Sequence, residues 1–108
     1  MNFENTKIYK LAQAVEYTDG GIVSKQVIKT SGGNGTLFSF DKGQGLSEHS
    51  APFDAMVQVL DGRGTIMIDG KPYSLEAGEM IIMPANVPHA IKAEEKFKMM
   101  LFMAKEID

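Results

Sequence analysis

Residues 43–62 read GQGLSEHSAPFDAMVQVLDG and residues 78–93 read GEMIIMPANVPHAIKA. Each stretch starts on a glycine and holds one of the two histidines in the chain. Between them, TIMI at 65–68 and KPYSL at 71–75 flank Asp69-Gly70. Asp-Gly between two strand-like runs is the strongest short-range hairpin signal, because both central residues tolerate positive φ. Outward from this hairpin, turn formers recur at Asp19-Gly20-Gly21, Gly32-Gly33-Asn34-Gly35, Asp41-Lys42-Gly43, Asp61-Gly62 and Ala77-Gly78. Short strands at such regular spacing imply an all-β sandwich or barrel. The strands fall near 22–30, 35–40, 46–51, 55–60, 64–69, 72–75, 79–83, 88–92 and 96–104. LAQAVEY at 11–17 fits either a strand or a short helical turn.

Alternation is broken in places. Ile22, Val27 and Ile28 do not share one face, which implies a bulge or an edge in the first strand. MIIMP at 80–84 is continuously apolar, as a strand buried on both sides would be. The last strand carries Phe97, Met99, Leu101 and Met103 on one face and Met100 and Phe102 on the other. A small barrel fills only its interior. The second apolar face therefore needs a cover, and a partner subunit is the simplest one, so a homodimer is expected.

Composition bounds the function. A chain of 108 residues, 44% hydrophobic and 23% charged, is one globular domain, 1–108. The net charge is -3 and Arg63 is the one arginine, so clustered basic surface for nucleic acid or an anionic membrane is not expected. Cysteine is absent, which removes disulfides, thiolate nucleophiles and thiolate metal ligands. MNFENTKIYK lacks the basic-then-apolar pattern of a signal peptide, and no apolar run approaches the ~20 residues of a membrane span. A cytoplasmic location is the expectation. No serine sits in a glycine-flanked elbow of the kind hydrolases use.

The two histidine stretches resemble the paired signatures of small single-domain cupins. The first signature runs G, five residues, H-x-H, three or four residues, E, six residues, G. Here Gly43, His49, Ala51, Ala55 and Gly62 hold those places. The second runs G, five residues, P-x-G, two residues, H, three residues, N. Here Gly78, Pro84-Ala85-Asn86, His89 and Ala93 hold them, with Asn86 in place of the turn glycine. Asn enters the left-handed region more readily than most residues, so that exchange is tolerable. Fifteen residues, 63–77, separate the signatures. The resemblance implies a double-stranded β-helix, or jelly-roll, barrel of the cupin type 2 kind.

The resemblance also implies an inward-facing metal site of three histidines and a carboxylate, suited to Fe, Mn, Ni or Zn. Carried over by position, His49 and His89 are retained, while Ala51 and Ala55 stand for a histidine and a glutamate. Two neutral imidazoles make a weak site, since a catalytic metal generally uses three protein ligands. Strand parity turns Glu48 and Gln58 outward and leaves Asp54, before Ala55, as the one carboxylate able to substitute. Met83 and Met67 allow a thioether–imidazole copper site, against the plainer reading of methionine as core filler. Interior histidines also serve as hydrogen-bonded pocket groups without metal. Pro84 and Pro88 shape the loop that delivers His89, and Phe53 lines or lids the cavity.

Two main functional readings stand. One is a small-molecule-binding cupin with a degenerate metal site, weakly or non-catalytic, in which His49 and His89 anchor a ligand beside Ala51, Ala55 and Phe53. The other is a metal-dependent enzyme, a dioxygenase or isomerase, using a reduced two-histidine site. A third treats the barrel as a dimerisation or partner-binding module.

Overall fold

A computed structural model describes residues 3–105. Eight strands follow one short 3-10 turn at Leu11–Gln13: β1 (Ile22–Thr30), β2 (Gly33–Phe40), β3 (Gly45–His49), β4 (Asp54–Ile68), β5 (Lys71–Glu76), β6 (Met80–Met83), β7 (His89–Lys92) and β8 (Phe97–Ala104). All pairings are antiparallel, and the strands follow the order β1-β2-β8-β4-β7-β3. β5 and β6 each pair with β4. The first part of β4 lies between β8 and β6, and its second part lies between β7 and β5. This strand therefore belongs to both walls of the barrel, the all-β architecture expected from the turn spacing and the jelly roll implied by the resemblance. Among the described residues, no helix is long and apolar enough to cross a membrane.

The Asp69-Gly70 hairpin forms with Ile68 opposite Lys71 and positive φ at both turn residues, 52° and 79°. That is the type I′ geometry which matches strand twist. Asp61-Gly62 behaves differently. The sequence places a turn there, yet residues 55–60 and 64–69 belong to one unbroken strand apart from Asp69, and Asp61 and Gly62 pair with Lys98 and Phe97 directly after a bulge at Leu60. Gly62 has φ 73°, and a Cβ on it would lie 2.2 Å from the Lys96 carbonyl oxygen. Only glycine bends the strand at this spot. β1 also bulges, between Gln26 and Ile28, and it is the edge of its sheet, which accounts for its broken alternation.

The interior packs Phe40, Val57, Val59, Ile66, Phe97 and Met99 at 0% exposure. Phe38, Phe40 and Phe97 stack with centroid separations of 5.7 and 4.9 Å. A second cluster lies on the outer face, where Val15 covers Leu37 and Met100. The residues leading into β1 form a strap held by three side-chain donors. Lys98 Nζ donates to the Ala12 carbonyl at 2.6 Å, Lys25 Nζ to Ala14 at 3.0 Å and Ser39 Oγ to Glu16 at 2.6 Å.

The strap corrects one expectation: Met100, on the second face of β8, is buried by the chain's own N-terminal segment rather than by a partner. A second correction concerns MIIM. β6 pairs with β4 alone, and Met80 and Ile82 are 47% and 57% exposed while Met83 faces the core. Beyond the strap, Ile28, Gly35, Phe102, Met56 and Ile82 form one cross-strand row over five strands. Ile28, Phe102 and Ile82 in that row are exposed.

Candidate functional site

His49 ends β3 and His89 begins β7, and the two are direct cross-strand partners. The register between these strands is irregular between Leu46 and His49, and this brings the two rings together. Their Nε2 atoms are 3.2 Å apart, with ring centroids at 4.4 Å and planes at 68°. Each ring is held from behind by a backbone carbonyl two residues earlier. His49 Nδ1 faces Ser47 O at 3.0 Å, and His89 Nδ1 faces Val87 O at 3.2 Å.

The loop that carries His89 is docked on the segment that carries the other predicted site residues. Asn86 N–H donates to the Ala51 carbonyl at 2.7 Å, and Ala85 N–H donates to Asp54 Oδ1 at 2.9 Å. Asn86 has φ 64°, the left-handed conformation that its place in the signature requires. Asp69 N–H donates to Pro88 O at 2.8 Å, which fixes the other side of the same loop.

The rings border a cavity of ≈ 50 Å³ lined by Leu46, Ala51, Phe53, Ala55, Met83, Ile91, Leu101 and Met103 beside His49 and His89. His89 is buried at 7% exposure, whereas His49 is exposed at the mouth. Burial holds His89 below the ordinary imidazole pKa, and neighbouring His49 adds to that effect against the raising pull of the Val87 hydrogen bond. Phe53 stands half-buried, with Lys105 Nζ 5.5 Å from its ring.

Five of the six residues singled out in the sequence meet here: His49, His89, Ala51, Ala55 and Phe53. Asp54 does not line the cavity, is exposed, and spends its Oδ1 on the Ala85 amide. Glu48 and Gln58 are likewise absent from the lining, as is Met67, whereas Met83 is present. Sequence reasoning missed Leu46, Ile91, Leu101 and Met103 as cavity walls. The inward parity of β8 already carried the signal for the last two. The cavity is small although alanines hold two ligand positions, and the methionines Met83 and Met103 are among its walls.

The donor set does not fit a catalytic metal centre. The 3.2 Å between the Nε2 atoms is compatible with two ligands at ~2.0–2.1 Å from one ion. No third follows: among the described residues, no three His, Cys, Asp or Glu side chains gather to hold a metal. Ala51 and Ala55 offer methyl groups where an anion and an imidazole would complete the sphere. A metal here would depend on solvent or on a bound molecule for its remaining ligands.

Residues 36–105 match the Cupin domain family model. The chain is similar to a conserved protein of unknown function from Streptococcus pyogenes, at 38% identity and TM-score 0.93, covering 100% of this chain and 95% of that one. It is 48% identical, at TM-score 0.87, to a cupin 2 conserved barrel domain protein from Leptotrichia buccalis, covering 90% of this chain and 47% of that one. Against that protein the chain spans about half the length. Salicylate 1,2-dioxygenase from Pseudoaminobacter salicylatoxidans shares the fold alone, at 20% identity and TM-score 0.72 over 79% of this chain and 25% of that one. No curated protein matches the chain.

Proposed function

This chain belongs to the cupin family, and on that premise we propose that residues 1–108 act as one small-molecule-binding barrel with little or no catalytic activity. One observation carries the reading. Two imidazoles converge at 3.2 Å on an otherwise apolar cavity, and alanines occupy the other two ligand positions of the signature. An apolar cavity with a few converging polar groups is the make-up of a small-molecule site. At ≈ 50 Å³ it takes the head of a ligand, and the remainder rests at the mouth beside Phe53. A cytoplasmic location goes with this reading, motivated by the cysteine-free composition.

Elemental analysis of freshly purified protein, beside His49→Ala and His89→Ala, tests it. The expected result is no stoichiometric metal in any sample, with all three folded. Near-stoichiometric metal in the native protein, lost in both variants, overturns the reading.

That outcome would favour a second reading, a metal-dependent dioxygenase or isomerase with a two-histidine site. The separation of the Nε2 atoms is what speaks for it. The ion would be a divalent Fe, Mn, Ni or Zn, with solvent or substrate as further ligands.

The reading includes a homodimer. Its support is the outer row from Ile28 through Phe102 to Ile82, which the strap leaves bare. Phe102 stands as a knob between two shallow hollows of ≈ 260 and ≈ 210 Å³. A knob flanked by hollows is self-complementary under two-fold rotation, the symmetry most dimers adopt.

A further inference from the structure

One buried polar atom lies outside the site described above. Among the described residues, Asn34 Oδ1 is enclosed without a hydrogen-bond partner, and it is alone in this. Asn34 is half-buried within β2, paired with Lys29 of β1 and Met103 of β8. Met103 pairs with Ala55, and Ala55 with Met83. Directly paired residues share a face of the sheet, so Lys29, Asn34, Met103, Ala55 and Met83 form one cross-strand row. Met103, Ala55 and Met83 line the histidine cavity, which makes this the inner face. Parity agrees. A Cβ on Gly35 would lie 3.1 Å from the Phe102 ring and 3.4 Å from Ile28, both on the outer face. Asn34 is therefore turned inward, one strand beyond Met103.

Stability alone does not favour an asparagine here. Asparagine is depleted in strands, and an enclosed polar atom without a partner is destabilising. A leucine, of nearly the same shape, would pack beside Met103 with neither penalty. Lys29, the other cross-strand neighbour, is exposed and does not bond to Oδ1. The histidine cavity of ≈ 50 Å³ is far below the roughly 300 Å³ at which small-molecule pockets begin. A ligand held by His49 and His89 must therefore extend past a cavity wall. On the β2 side that wall is Met103, and its three side-chain torsions let it turn aside. Neighbouring strands stand ~4.8 Å apart, so Asn34 lies about 10 Å from Ala55 along the row.

We propose, resting on the small-molecule reading above, that Asn34 is a further polar anchor of the site and Met103 the movable partition between it and the histidine cavity. The ligand is an elongated molecule, polar at both ends and aliphatic between. One end meets the histidine pair, the middle packs on Ala55 and Met103, and a hydroxyl at the far end pairs with the Asn34 amide. A hydroxyl both donates and accepts, so it serves whichever way the amide is turned. The pairing is likewise independent of which ring nitrogen of His49 or His89 carries a proton.

Titration of the full chain, followed by ¹⁵N–¹H chemical shifts, tests this with terminal diols of four, six and eight carbons, each beside the mono-alcohol of the same length. These lengths bracket two strand spacings, about 10 Å. At one length the diol should bind native protein about tenfold tighter than its mono-alcohol, the scale of one hydrogen bond to a group otherwise left unpaired. Asn34→Leu should bind the two equally, with mono-alcohol affinity unchanged and a urea midpoint no lower than native. Met103→Ile, β-branched and stiff at χ1, should lose the same preference. Equal binding of diol and mono-alcohol by native protein, or a preference that survives Asn34→Leu, overturns Asn34 as an anchor and leaves the binding barrel intact. A lowered midpoint in Asn34→Leu also overturns it, because the amide would then be satisfied within the fold. A preference retained in Met103→Ile overturns the partition. Cavity signals unmoved by every probe overturn the anchor and the binding reading together.

Discussion

Tyr17 Oη donates to Asp61 Oδ2 at 2.5 Å, joining the N-terminal strap to β4 directly after its bulge, across 44 residues of chain. Lys96 and Lys98 each place a Nζ 4.8 Å from the same ring. The phenol thus closes the strap over Met100 with one hydrogen bond and two cation–π contacts. Partial burial, and then the bond to Asp61 and its charge, push the tyrosine pKa well above its usual value.

Tyr17→Phe removes the hydrogen bond and keeps the ring. Loss of about 1 kcal/mol in urea unfolding is expected, the scale of one hydrogen bond to a charged acceptor at a half-exposed site. The pH dependence has a definite sign. The folded pKa lies above the unfolded 10.0, so this contribution is fully present below pH 10.0 and is lost as pH rises past it. Native protein should show an alkaline fall in stability that Tyr17→Phe lacks. Equal alkaline slopes in both would remove Tyr17 as the source.

Asn86 is the left-handed residue of the loop that delivers His89. Asn86→Gly should be neutral or stabilising by a few tenths of a kcal/mol, since glycine adopts φ > 0 without a Cβ penalty. Asn86→Ala should cost about 1–2 kcal/mol. Denaturant midpoints of the two variants, compared with native protein, check the contrast. Equal midpoints would mean that the loop does not constrain this backbone angle in solution.

Ala51→His with Ala55→Glu reinstates the side chains of the cupin signature around His49 and His89. The pair of substitutions should confer binding of a first-row divalent ion, read by calorimetric titration with Zn²⁺ or Mn²⁺. Overpacking a cavity of ≈ 50 Å³ should lower apo stability by about 1–3 kcal/mol. A folded double variant with no more metal affinity than native protein would show that more than the ligands has been lost.

Phe102→Lys puts a charge at the centre of the bare outer row. Light scattering should give twice the chain mass for native protein and the single-chain mass for the variant, with unchanged circular dichroism. A native monomer at the same concentration defeats the dimer outright.

What the sequence made legible was local chemistry. The Asp69-Gly70 turn, the left-handed Asn86 and the spacing that pairs His49 with His89 each depend on a few neighbouring residues. Other features depend on partners far along the chain. Asp61-Gly62 has the composition of a turn, yet it continues β4 past a bulge at Leu60 because it pairs with Lys98 and Phe97 of β8. The strap exists because Lys25, Ser39 and Lys98, from three different strands, reach its carbonyls. Cavity size was hidden for a related reason. Alanines at two ligand positions imply space, but the cavity is also walled by side chains from other strands, Met83 and Met103 among them.

β4 pairs with four other strands, two along each of its halves. No seam therefore runs between the two walls of the barrel along which one could open and leave the other closed. Amides in the paired stretches of residues 54–68 should exchange with deuterium only through global opening, with protection free energies close to the full unfolding free energy. β3 pairs with β7 alone, so it should open more readily and show lower protection. His49 sits at the end of that strand. On the proposed binding reading, one of its two histidines would then belong to a readily opening edge of the barrel, and the motion of that edge would set how quickly the cavity fills and empties.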